Sequence, residues 1–137
     1  MGPIVIELAG EPKGKGRPRF VRATGHAFTP AATRSYESAL RLAGQQVMNG
    51  ADPLDGPLAV EVLAWMTVPA SWSKKKRDAA LNGALKPTGR PDVDNLVKSL
   101  DALNTVVWRD DRQIVWCSVA KMYASRPCLQ IKVEAAP

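Results

Sequence analysis

Three aspartates and a lysine fall within ten positions of the stretch GRPDVDNLVKSLDALN (89–104): Asp92, Asp94, Lys98 and Asp101. A second acidic pair, Asp110-Asp111, follows in WRDDRQI. Carboxylates this close repel one another unless something positive sits between them. Hard oxygen donors suit a hard divalent cation, and Mg²⁺ takes few carboxylates while keeping water or substrate phosphate as its other ligands. Pro91 biases Arg90 to extended geometry. If Asp92 to Asp94 is extended too, both carboxylates project to one side and Val93 points into the core. On the helix that follows, Asp94, Lys98 and Asp101 share a polar face opposite Leu96, Leu100 and Leu103. There Lys98 would lie beside a bound phosphate and stabilise charge building on it. A plainer reading exists for every one of these residues. Aspartate caps helices and forms turns, and Asp94 with Lys98 makes a favourable i,i+4 pair.

The elements that must position these groups can be read from periodicity and turn signals. IVIELAG (4–10) reads as a first strand, and EPKGKGRPRFVRATGH as a loop with a hairpin turned at Gly25 between Phe20 and Phe28. A helix follows, with Thr29 as cap, Pro30 at its first position and Gly50 as its stop. Tyr36, Leu40, Ala43 and Val47 form its apolar stripe. GPLAVEVLAWMTVP is a strand, and SWSKKKRDAALNG a short helix capped by Ser71 or Ser73 and ended near Gly83. DNLVKSLDALN is read as one helix, TVVW as a short strand, RDDRQ as a turn, and IVWCSVAKMYA and CLQIKVEA as two final strands paired in a hairpin about Arg126-Pro127. Interspersed helices and strands with a hairpin-like end imply an α+β fold, a single domain over 1–137 with a mixed β-sheet and helices packed on it.

Composition narrows the function class. Nineteen Lys and Arg against 13 Asp and Glu give a formal charge of +6, which favours a polyanionic partner such as nucleic acid. The N-terminus lacks a basic region before its short apolar run, so it reads as a strand rather than a signal peptide, and no run approaches a membrane span. A cytoplasmic protein without membrane contact is expected. Two cysteines and one histidine cannot complete a four-ligand zinc site, so Cys117 and Cys128 read as buried free thiols. Cations concentrate in KGKGRPRFVR, with Lys13, Lys15, Arg17, Arg19 and Arg22, and in SKKKR, with Lys74, Lys75, Lys76 and Arg77. Each is either a solvated surface or a phosphate grip, and the glycines of the first would let backbone approach phosphate closely. Trp65 reads as core, Trp108 and Trp116 as core or interface, and Trp72 as packed or stacked on a base.

The order RPDVDNLVKSLDALN…VVWRDDRQI resembles the RusA family of Holliday-junction resolvases, small Mg²⁺-dependent endodeoxyribonucleases. The family pattern is Asp-x-Asp-Asn-Leu-x-Lys, then Asp-Ala-Leu, then a hydrophobic segment ending in Asp-Asp before Gln-[Ile/Val]. Here it is carried by Asp92, Asp94, Asn95, Leu96, Lys98, Asp101 to Leu103, Asp110-Asp111 and Gln113-Ile114, about a sixth of the chain. The resemblance implies metal-binding catalytic carboxylates at Asp92, Asp94 and Asp111, and an essential cation at Lys98. It leaves Asp110 open and allows Asp101 to orient Lys98. It further implies a homodimer that binds a four-way junction and nicks two opposed strands, with no small-molecule cofactor. Two other readings remain: a non-catalytic basic DNA-binding module, and an Asp-x-Asp transferase for nucleotide sugars, for which the chain is short.

Overall fold

The computed structural model describes residues 2–15, 19–28 and 31–137, with backbone alone at 19–21 and 28. Strand β1 (Ile4–Ala9) is followed by an antiparallel ribbon of β2 (Arg19–Val21) and β3 (His26–Phe28), turned through Gly25 at φ 70° as the sequence predicts. Then come helix α1 (Ala31–Met48), strand β4 (Leu58–Thr67), helix α2 (Lys74–Leu81), helix α3 (Val93–Lys98), and strands β5 (Ile114–Ala124) and β6 (Cys128–Ala135). Two 3-10 turns, Ser99–Leu103 and Asp111–Gln113, lie between α3 and β5. The expected Thr29 cap and Pro30 fall outside the described residues. Ser73 does cap α2, accepting from Lys76 N at 3.2 Å.

The main sheet has four strands in the order β1-β6-β4-β5. β6 runs antiparallel to both β1 and β4, and β5 runs parallel to β4. This is the mixed sheet of an α+β fold. The expected β5–β6 hairpin does not form. The turn at Arg126-Pro127 reverses the chain, but β4 lies between the two strands, with Thr67 opposite Ala124 and Trp65 opposite Cys128. β4 is apolar enough to sit with both edges paired, as β6 also does, and a turn signal fixes reversal rather than adjacency.

Leu58, Val60, Val62, Ala64 and Met66 alternate onto one face of the sheet with Ile6, Leu129, Ile131 and Val133. Helices α1 and α3 and the first 3-10 turn bury Leu40, Met48, Leu96, Leu100 and Leu103 against them. Leu96, Leu100 and Leu103 are the stripe read from the sequence. On α1, Leu40 is buried and Tyr36 and Ala43 pack against the core as the stripe predicts, but Val47 is exposed, and Thr33, Gly44 and Met48 are buried instead. Gly44 allows that close approach, because a Cβ there would meet Leu103 Cδ2 at 2.7 Å. A bare α-carbon lets α1 seat on the 3-10 turn, and apolar periodicity does not count glycine.

The segment expected as a short strand, 105–108, is a buried turn. Thr105 has φ 66° and Trp108 makes single bridges to Leu54 and Asn104. Trp108 is fully buried, and its Nε1 donates to Asn104 Oδ1 at 2.7 Å. The opposite sheet face carries rows of Trp116, Ala59 and Glu134, of Ser118, Glu61 and Lys132, of Ala120, Leu63 and Gln130, and of Met122, Trp65 and Cys128. Trp65 is thus half-buried on that face rather than in the core, and Trp116 is 56% exposed. Cys117 and Cys128 are free, but Cys117 is exposed on β5 and Cys128 is half-buried, so neither is the buried thiol expected. Among the described residues, no helix is long and apolar enough to cross a membrane.

Candidate active site

Asp92 is the N-cap of α3, with φ −79° and ψ 164°, and its Oδ1 accepts from Asn95 N at 2.8 Å. Only this residue is extended. Asp94 is already helical and stands in the first turn, where a carboxylate suits the positive end of a helix. Capping needs β-region geometry at one position only, so the extended Asp-x-Asp with both side chains on one side does not form. Val93 is accordingly 47% exposed instead of in the core.

Lys98 Nζ donates to Asp94 Oδ2 at 2.9 Å, and both side chains are mostly exposed. The α-helix ends there and tightens into the 3-10 turn, with Ser99 Oγ donating back to Leu96 O at 2.6 Å. The tightening takes Asp101 off the face it was expected to share with Asp94 and Lys98. Asp101 accepts from Lys15 Nζ, and Glu37 Oε1 lies 3.6 Å from the same ammonium. Asp101 therefore holds Lys15 and does not orient Lys98. The hydrogen bond to Asp101 raises the Lys15 ammonium above its usual range, against the opposing effect of burial.

Lys15 is fixed by its backbone as well. Its N–H donates to Asn95 O at 3.2 Å. A Cβ on neighbouring Gly14 would lie 2.6 Å from Asn95 Cβ and 3.0 Å from Pro91 Cβ. The glycine that the sequence offers for close approach to phosphate instead brings the N-terminal loop against α3. Between them is a cleft of about 720 Å³, walled by Pro12–Lys15 on one side and by Arg90–Asp92 and Asn95 on the other.

The Asp110-Asp111 turn is held by Gln113. Its Oε1 accepts from Arg109 N and Asp110 N at 2.8 and 3.0 Å, and its Nε2 donates to Leu54 O and Gly56 O at 2.9 and 3.1 Å. Asp110 is the cap of the second 3-10 turn, accepting from Arg112 N at 2.9 Å. Asp111 is exposed as a residue, yet its carboxyl is pushed above the usual range. Partial burial is the first cause, followed by the charge of Asp110 and a hydrogen bond with it, then the charge of Asp101, with Lys15 opposing. Lys15 thus lines the cleft that holds Asp92, pairs with Asp101, and reaches Asp111 with its charge.

Among the described residues, no three acidic, His or Cys side chains are grouped closely enough to hold a metal ion. The donor chemistry still fits a hard divalent cation. Every candidate is a carboxylate, and Asp111 is crowded by like charge that a cation would relieve. Asp92 uses Oδ1 as a cap. Asp94 is held only by its exposed partner Lys98.

The expected phosphate grips divide into three groups. Lys13 is exposed on the cleft, whereas Lys15 is committed to Asp101. Arg17 and the Arg19 side chain lie outside the described residues. Lys74, Lys75, Lys76 and Arg77 are exposed on the first turns of α2. Lys76 Nζ lies 4.0 Å over the Trp72 ring, which meets Tyr123 edge-on at 5.5 Å, so Trp72 is packed rather than free to stack. Tyr123 lies nine residues along β5 from Ile114, roughly 30 Å from the acidic turn. Sequence reasoning missed Arg34, Ser38 and Arg41, which line a second cleft beside Asp101. Their i, i+4, i+7 spacing on α1 was the available signal.

The family model for endodeoxyribonuclease RusA matches residues 9–134. The chain belongs to the RusA endodeoxyribonuclease family. It is also 35% identical over 139 residues to the Bacillus subtilis (strain 168) protein named "Uncharacterized protein YqaN", covering 98% of this chain and 97% of that one. The RusA match spans β4 and β5, nearly all of β6, both clefts and both acidic motifs, and begins at the last residue of β1. It supports endodeoxyribonuclease chemistry for this chain.

Proposed function

We propose that this RusA-family chain is a Mg²⁺-dependent, structure-selective endonuclease. It resolves four-way junctions or related branched DNA by paired phosphodiester hydrolysis, in DNA recombination and repair, and works in the cytoplasm. The observation that carries this reading is the family match over residues 9–134, a span that contains Asp92, Asp94, Lys98 and Asp111. Asp92, Asp94 and Asp111 are the residues that would hold Mg²⁺. When bound, the cation supplies an activated water and charge stabilisation for the leaving 3′ oxygen. Asp92 has Oδ2 available while Oδ1 keeps the helix cap. Asp94 would hold the cation in place of its exposed partner Lys98, whose ammonium would then be free to face the phosphate. Lys13 and Lys15 on the cleft, Arg17 and Arg19 of the same sequence run, and Lys74 to Arg77 on α2 supply backbone grip rather than sequence choice.

Asp92, Asp94, Asp101 and Asp110 also have structural tasks, which favours a second reading: a basic DNA-binding module whose acids are caps and pair formers. A fluorescent four-way junction separates the two. Cutting that stops in EDTA and returns with Mg²⁺ is the expected result, and binding without cutting in both conditions leaves the module.

Paired cleavage on a two-fold junction calls for a two-fold enzyme. We assign the homodimer contact to the sheet face bearing Trp116, Leu63, Trp65, Ala120 and Met122. Four strands ~4.8 Å apart and about eight residues long span on the order of 500 Å² of plane. Side-chain relief brings that toward the ~800 Å² per partner of a standard interface. Trp116→Glu should turn a dimer into a monomer in sedimentation. A wild-type chain that sediments as a monomer, with or without DNA, removes this assignment.

A further inference from the structure

A second cleft of about 470 Å³ lies on the other side of Lys15, between α1 and the first 3-10 turn. Asp101 and Lys15 form its inner wall, and Arg34, Ser38 and Arg41 of α1 form its outer one. Of the two carboxylates in it, Asp101 pairs with Lys15, and Glu37 Oε1 lies 3.6 Å from the same ammonium, so one negative charge is left for the arginines to offset. Arg41 uses both terminal nitrogens on neutral acceptors: Nη1 donates to Asn104 O at 2.8 Å and Nη2 to Thr105 Oγ1 at 2.9 Å. These bonds hold the Thr105 turn but are not ion pairs. Arg34 is exposed and makes no ion pair or hydrogen bond with any described residue. The cleft therefore carries one net positive charge, with a hydroxyl between two guanidinium groups that make no ion pair among the described residues. They stand two helical turns apart on one face, about 10 Å, which corresponds to about three nucleotides along one strand of B-form DNA.

We propose that this cleft is a subsite for the phosphodiester backbone of the DNA strand leaving the acidic site. It is held chiefly by Arg34, with Arg41 adding charge and Ser38 a hydroxyl donor. This rests on the reading of the chain as a branched-DNA nuclease and gives that substrate a path. Lys15 walls both clefts, so a strand lying over it passes from Lys13 and Arg90, across Asp92 and Asp101, to Arg34. Guanidinium groups suit phosphate because their forked N–H donors match two of its oxygens. The two carboxylates do not dominate the strand's path here, because Lys15, Arg34 and Arg41 outnumber them by one charge.

The test is binding of the full chain to a fluorescent four-way junction in EDTA, followed by anisotropy across about 50–200 mM salt. Arg34→Ala should bind roughly three- to tenfold more weakly, and the slope of log K against log salt should shrink by about 0.9, the loss of one phosphate contact. Arg34→Lys should restore most of the slope. Arg126→Ala removes an equally exposed cation on the β5–β6 turn and should leave the slope unchanged. A wild-type slope in Arg34→Ala, an equal loss in Arg126→Ala, or no binding by the wild type each overturns the proposal. Cleavage in Mg²⁺ is scored separately. A wild type that cuts while Arg34→Ala keeps its slope sinks the subsite alone, and a wild type that binds through Arg34 without cutting sinks the nuclease reading alone.

Discussion

Gly14→Ala tests how the N-terminal loop is fastened to the acidic helix. The added methyl would lie 2.6 Å from Asn95 Cβ, 3.0 Å from Pro91 Cβ and 3.4 Å from the Asn95 carbonyl carbon. None of these is the free end of a flexible side chain, so something near the backbone must move. If α3 yields, the cost is that of overpacking, about 1–3 kcal/mol. If the loop lifts instead, it forfeits the Lys15 N–H bond to Asn95 O, about 1 kcal/mol, and the Lys15–Asp101 pair, up to about 1 kcal/mol at this exposure. The second route costs no more than the first, so the loop should lift at about 1–2 kcal/mol. Urea unfolding should show a lower midpoint at unchanged slope. Amide exchange should speed up at residue 15 and leave the core strands protected. Gly89→Ala is the matched control, since a Cβ there meets nothing within 4 Å. Wild-type exchange at residue 15 in Gly14→Ala would refute the fastening.

Three further outcomes follow from the site. Asp92→Asn should keep the helix cap, because Asn caps as well as Asp, and so melt like the wild type while losing cleavage; Asp92→Ala should lose about 1 kcal/mol besides, or about 3–4 °C in a melt. Lys98→Met should cut turnover on the order of 10²–10³-fold with junction binding nearly unchanged, and an equal loss of both would assign Lys98 to grip instead of catalysis. Asp111 has a folded-state carboxyl raised above its unfolded value, so its ionised form is costlier in the folded chain than in the unfolded one. In EDTA at pH 7, Asp111→Asn should therefore melt higher than the wild type, and the gap should close as pH falls through the raised value to below about 4. A constant gap across that range would mean that something other than charge is responsible.

The sequence carried the element types further than their neighbours in space. β4 was readable because it is long, apolar and fenced by proline, and α2 because Ser73 and Gly83 bracket it. Strand order was not readable. Arg126-Pro127 announces a reversal equally well whether β6 lands beside β5 or beyond β4, and the apolar content of β4 decides that only once all strands compete for the centre. At the site, the residue types and their order were legible, while the geometry at Asp92 and Asp94 was not. An Asp after proline is compatible with both an extended run and a cap, and the free Asn95 N–H favoured the cap. The Lys15–Asp101 pair spans 86 positions, beyond anything local spacing encodes.

The two lysines at the site are not equivalent, and the difference decides which acid can change partner. Lys98 and Asp94 are i,i+4 neighbours with side chains 57% and 72% exposed, an arrangement worth about 0.3–0.5 kcal/mol. A phosphate or a cation nearby can displace such a pair at almost no cost. Lys15 and Asp101 are 29% and 34% exposed, share a second carboxylate in Glu37, and belong to a loop already bonded to Asn95 and packed through Gly14. Releasing that pair means lifting the loop, at the about 1–2 kcal/mol worked out above. Asp94 is therefore the acid free to turn toward Asp92, and Asp101 is the one kept in place to hold the wall between the two clefts. The motif contains more carboxylates than a metal needs, and the surplus anchors the lysine over which the DNA strand would pass.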